Sequence, residues 1–141
     1  MNGRTLIIAV MALAVLLVGC GAGPVGGADL QDTRWVLVTL GGEAPLPDTA
    51  PSAEFSAEQI SGSAGCNTYF GTYTVSGSEI TISDVANTEM WCMEPEGVMD
   101  QEQAFLAALA SVASYRLADE RLELLDGTGG VILIFEPKPA P

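Results

Sequence analysis

A chain of 141 residues accommodates one domain of ordinary size. It carries 18 acidic and 5 basic side chains, a formal net charge of −13, and no histidine. Such a surface repels phosphate backbones and anionic headgroups, so nucleic acid is excluded as a partner and a basic patch as the means of membrane attachment. The missing imidazole excludes Ser-His-Asp and Cys-His nucleophiles and histidine-built zinc sites.

Residues 1–19 have the form of an export signal. Arg4 and the amino terminus supply positive charge, and Leu6 to Val18 is an apolar run with the length of a signal-peptide core. The run ends in Leu17-Val18-Gly19-Cys20, which resembles a bacterial lipobox. That resemblance implies lipidation of Cys20; two acyl chains suffice for stable anchoring, at about 0.8 kcal/mol per buried CH₂. The alternative is an ordinary signal peptide with an incidental cysteine. Outer-membrane placement follows if the organism has an outer membrane. Residues 20–30, with GAGPVGGAD at their centre, read as a flexible tether, and the folded domain is expected over 31–137.

Thr33 to Leu40 is the first expected strand, with Trp35 and Leu37 on one face. The Pro-rich GGEAPLPDTAP is a loop. Short strands follow at Ala53 to Phe55 and Gln59 to Ser63, then at Tyr69 to Val75 and Glu79 to Ile82 around the Ser76-Gly77-Ser78 turn. Thr88 to Cys92 reads as a further strand, with Thr88, Met90 and Cys92 on the inner face and Trp91 outward. Apolar residues then recur at helical spacing from Pro95 to Val112, with Pro95 suited to a first helical turn. Three strands close the chain: Ser114 to Leu117, Arg121 to Leu125 and Val131 to Glu136. The expected class is mainly β (α+β): a small antiparallel, β-barrel-like curved sheet with one inserted helix covering an opening or face.

GSAGCNTYFGTYTV, ANTEMWC, QEQAFLAALASVASYRL, RLELL and VILIFE together resemble the META/HslJ-like domain. The most specific parts are Gly65-Cys66-Asn67 with Gly71 and Tyr73, Thr88-x-Met90-x-Cys92, and Glu102-Gln103-x-Phe105-Leu106. The resemblance implies a small antiparallel barrel with one helix, similar to lipid-binding pilot lipoproteins. It also implies bacterial lipoprotein status, links to envelope stress or virulence, and no catalytic residues to carry over. Trp91 stands where the family usually has a small residue, and Glu89 where a basic or neutral one is common.

Export implies an oxidising compartment, and Cys66 and Cys92 are the two cysteines left once Cys20 is acylated. A Cys66–Cys92 disulfide is predicted, closing a loop of roughly 27 residues; the alternative is a pair of buried thiols. Met90, Cys92, Met93 and Met99 are soft Cu(I) ligand types, but core packing of Met90 and Cys92 is the simpler account. Glu94, Glu96, Asp100 and Glu102 are Ca²⁺ ligand types, but helix-dipole complementarity explains them more plainly, and the remaining acids read as solvated surface. No cofactor or metal is therefore assigned. Trp91 is a candidate contact residue if exposed; otherwise it packs under the Pro-rich loop.

Two function classes remain. The preferred one is a non-enzymatic, lipid-anchored envelope domain that binds a protein partner. The other is a carrier or sensor of a small apolar ligand or lipid held inside the curved sheet.

Overall fold

The computed structural model describes residues 30–139. The expected signal segment, Cys20 and the tether up to residue 29 lie outside them. Eight strands occur in chain order: β1 (Thr33–Leu40), β2 (Ser52–Ser56), β3 (Gln59–Ser63), β4 (Thr68–Ser76), β5 (Glu79–Asn87), β6 (Val112–Ala118), β7 (Arg121–Asp126) and β8 (Val131–Pro137). One helix, α1 (Val98–Ser111), lies between β5 and β6. Each strand pairs antiparallel with the next, and β8 returns to β1, closing the barrel.

Alternation along the strands builds the interior. Trp35 and Leu37 of β1, Tyr69 and Tyr73 of β4, Ile80 and Ile82 of β5, and Leu133 and Phe135 of β8 all point inward. The ring of Phe55 meets Tyr73 edge-on at 5.0 Å between centroids. Phe105 of α1 meets Tyr69 at 5.6 Å and Phe135 at 6.4 Å. These aromatic contacts join the helix to strands on both sides of the barrel axis, so the interior is a packed core. Leu30, fully buried, belongs to the same core ahead of the first strand.

The barrel has two unlike ends. At one, the described chain begins, and the turns 56–59, 76–79 and 118–121 gather. The last residues also return there, where the Lys138 amide donates to the Arg34 carbonyl. At the other lie the loop after β1, the β3–β4 connection, the segment 88–97 and α1. The seam between β5 and β6 is short, with Glu79 paired to Ser114 and the Tyr115 amide donating to the Ser78 carbonyl. Helix α1 enters the chain between these strands and closes the end beyond the seam.

Three expectations need correction. Thr88 to Cys92 is not a strand: β5 continues to Asn87, the Thr88 amide still donates to the Thr68 carbonyl of β4, and residues 89–92 belong to no strand. A side chain takes the place of a neighbouring strand there, as described below. Met90, expected inside, is exposed, and Cys92 is only half-buried. The helix also starts three residues later than its periodicity suggests. Pro95 sits in the preceding turn, where its carbonyl accepts from the Val98 amide, and Gly97 enters the helix at a φ of 85°.

Gly62 is required by a close approach. A Cβ on Gly62 would lie 2.1 Å from the Ser52 carbonyl oxygen. The same oxygen accepts the Tyr69 phenol at 2.9 Å, and burial pushes that phenol's pKa above its ordinary value. Gly62→Ala should therefore destabilise the barrel by about 2 kcal/mol or more, through backbone displacement. Tyr69→Phe should cost only about 1 kcal/mol, the worth of one buried hydrogen bond. Urea unfolding of both variants checks the order; equal midpoints would contradict it.

Candidate functional site

The buried face of α1 reads Val98, Glu102, Phe105 and Leu109, an i, i+4, i+7, i+11 stripe. A carboxylate occupies one of its positions: Glu102 is 3% exposed. Its Oε2 accepts from the backbone amides of Asn67, at 2.6 Å, and Cys66, at 3.0 Å. Its Oε1 accepts from Asn67 Nδ2 at 2.6 Å. A buried carboxylate is tolerated only when so matched by donors.

Asn67, equally buried, uses its whole side chain. One Nδ2 hydrogen goes to Glu102; the other reaches the Met90 carbonyl at 3.0 Å. Its Oδ1 accepts from the Met90 amide at 2.7 Å and the Thr88 hydroxyl at 2.8 Å. The amide group therefore does for Met90 what a paired strand would do, bonding both its N–H and its C=O. The β3–β4 connection is shaped for this: Gly65 lies at a φ of +124°, a conformation that favours glycine, and the Ala64 amide donates to the Asn67 carbonyl. Beside it, Cys66 and Cys92 form a disulfide with Cα atoms 5.9 Å apart. The segment from Thr88 to Cys92 is thus held at both ends.

The three most specific sequence motifs meet here. Gly65-Cys66-Asn67 supplies the hub, Thr88, Met90 and Cys92 are what it grips, and Glu102 is what orients it, with Phe105 anchoring the helix in the core and Leu106 half-buried beside it. Gly71 and Tyr73 stand apart. Gly71 lies where the β4–β5 register shifts, and Tyr73 belongs to the core beside Phe55. Glu102 was expected among the solvated acids at the helix start, and that reading is corrected. The signal was present: an acid four residues after Val98 and three before Phe105 lies within the apolar stripe.

Comparison with known proteins places this arrangement. The META domain family model matches residues 28–139. The chain belongs to the META domain family. It is 27% identical to heat shock protein HslJ of Escherichia coli (strain K12), over 80% of this chain and 96% of that protein. An NMR structure of a protein from Burkholderia xenovorans aligns with a TM-score of 0.64 at 24% identity, covering 80% of this chain and 86% of that one. A second NMR structure aligns at 0.62 with 27% identity, covering 77% and 92%. Both share the fold.

What this META domain displays on its clamped segment is apolar. Trp91 is 79% exposed and Met93 81%, with Met90 also outward. Trp91 does not pack under the Pro-rich loop; it stands against α1, between two shallow clefts. One cleft, about 340 Å³, includes Met99, Gln103 and Leu106 of α1; the other, about 290 Å³, includes Met93, Glu96 and Met99. Cys92 is bonded to sulfur and both Glu102 oxygens are engaged by Asn67 and Cys66, so neither is free as a ligand, and among the described residues no group of three or more acids or cysteines gathers.

Two outcomes follow. Glu102→Ala leaves three donors facing a hole and should lower stability by about 3 kcal/mol or more. Asn67→Ala should cost a similar amount, and the double variant less than the sum by roughly 1–3 kcal/mol, because the pair acts as one unit. Additive losses in urea titrations would refute that coupling. Reduction of the disulfide should lower stability by about 3–4 kcal/mol on loop closure alone. Unfolding with and without reductant, against a Cys66→Ser/Cys92→Ser variant, measures it.

Proposed function

We propose that this META domain is a non-enzymatic, lipid-anchored envelope protein that binds a protein partner through the Trp91 surface. The observation that carries the reading is an exposed tryptophan on a segment fixed by a buried carboxylate–amide network and a disulfide. Large aromatic anchors on rigid supports are the residues that dominate protein interfaces, because they add contact area at low entropic cost. The core supports this reading over a ligand carrier, since Tyr69, Phe55, Phe105 and Phe135 fill the barrel axis. The non-enzymatic part rests on the absence of histidine and on Glu102, whose two oxygens are already engaged. Cys20 is the proposed lipid attachment point, and the heat shock name of the relative accords with a role in envelope stress.

The test uses the full-length protein in a bacterial host. Cys20→Ala should move it from the membrane fraction to the soluble one. A photo-crosslinking residue at Trp91 should capture a discrete protein adduct, and one at exposed Thr74 of β4 should not. Equal capture from both positions, or retention of the Cys20→Ala protein in the membrane, would overturn the corresponding part of the proposal.

A further inference from the structure

The charges around Trp91 are one-sided. Glu89 and Glu94 lie within three residues of it in sequence, Glu96 and Asp100 line the cleft beside it, all four are exposed, and no Lys or Arg occurs between Arg34 and Arg116. The ion pairs of the described residues lie elsewhere, joining Arg34 to Glu54, Arg116 to Glu123 and Arg121 to Glu136. The domain's folded-region arginines are thus spent on the barrel wall, and the acids of the Trp91 surface face solvent without cations of their own.

The apolar part has a direction. Met99 and Leu106 of α1 lie seven residues apart on one stripe, about 10 Å along the helix, and Trp91 flanks that stripe through the two clefts. Met93 and Met99 add unbranched, polarizable side chains that adapt to an incoming surface. The neighbouring backbone offers little to a strand. The Met90 N–H and C=O are held by Asn67, the Thr88 N–H by the Thr68 carbonyl, and α1 satisfies its own ladder. Recognition here must run through side chains, as when an amphipathic helix settles on an apolar groove, and not by strand addition.

From this apolar stripe and its unpaired acidic rim, we infer that the occupant is a cationic amphipathic helix, with apolar residues seated against Trp91, Met99 and Leu106 and Lys or Arg facing Glu94, Glu96 and Asp100. A second copy of the chain would bring the same acids against themselves, and anionic lipid would meet the same repulsion. The inference rests on the partner-binding reading above and specifies the partner's chemistry.

The experiment uses three synthetic peptides of about 18 residues, long enough to form helix on the surface. One is an amphipathic Lys/Leu sequence, one the same composition scrambled, and one an amphipathic Glu/Leu sequence. The amphipathic Lys/Leu peptide should blue-shift Trp91 emission, a signal absent in Trp91→Phe, where buried Trp35 alone remains. By anisotropy it should bind about tenfold or more tightly than the scrambled peptide, and the Glu/Leu peptide should not bind. Trp91→Ala should weaken binding by about tenfold. Glu94→Gln/Glu96→Gln/Asp100→Asn should flatten its salt dependence, with the unfolding midpoint of each variant checked. Equal binding of the scrambled peptide, insensitivity to Trp91→Ala, or a Trp91 shift with phosphatidylcholine vesicles but not with the Lys/Leu peptide would each overturn the inference. Crosslinking at Trp91 that persists after such a result would leave partner binding standing with a different partner chemistry; loss of both would remove the two together.

Discussion

The contact between Asn67 and Glu102 is the constraint on which the top of this barrel depends. A carboxylate in an apolar stripe is costly unless its lone pairs are met, and here the donors come from the β3–β4 connection at the same end of the barrel. That single requirement fixes where α1 sits against the sheet. It also leaves Asn67 with one hydrogen and one oxygen to spend outward, and both go to the segment that has no strand beside it. Helix, connection and loop are therefore one cooperative unit, with the disulfide as a second, covalent route between the same two segments.

Much of this was legible in advance, for identifiable reasons. Alternation is unambiguous where strands have one wet face, so Trp35, Leu37, Ile80 and Ile82 announced the core. The sulfur pair followed from compartment chemistry. The strand expected at Thr88 to Cys92 was misleading because the alternation is present in the sequence alone; what the pattern cannot show is that a side-chain amide, not a neighbouring strand, receives their hydrogen bonds. Glu102 was missed for a related reason. Acids near a helix start are usually placed by the dipole and solvated, and Glu94, Glu96 and Asp100 obey that rule. Glu102 departs from it because its partner is 35 residues away in sequence, and nothing local to the helix discloses that partner.

The same unit explains why exposed apolar side chains are sustained on a strongly acidic protein. A flexible Met-Trp-Cys-Met stretch would collapse onto the nearest apolar surface. Gripped at Met90 and Cys92, it cannot fold inward, and Trp91 and Met93 stay in water. Rigidity here keeps a costly surface available instead of burying it, which is the condition under which a partner gains the full value of covering it.

The two unlike ends of the barrel also set a polarity. The described chain begins at the pole where Lys138 meets Arg34, whereas the segment carrying Trp91 emerges at the opposite pole with α1. An acylated Cys20 would stand ten residues before Leu30, a stretch that spans at most about 35 Å. A domain moored that way would carry its tryptophan at the pole opposite the mooring point, the end left clear of the attachment. Its counterpart would then be met in the aqueous gap beyond the lipid surface, within a radius set by the mooring line and the height of the barrel.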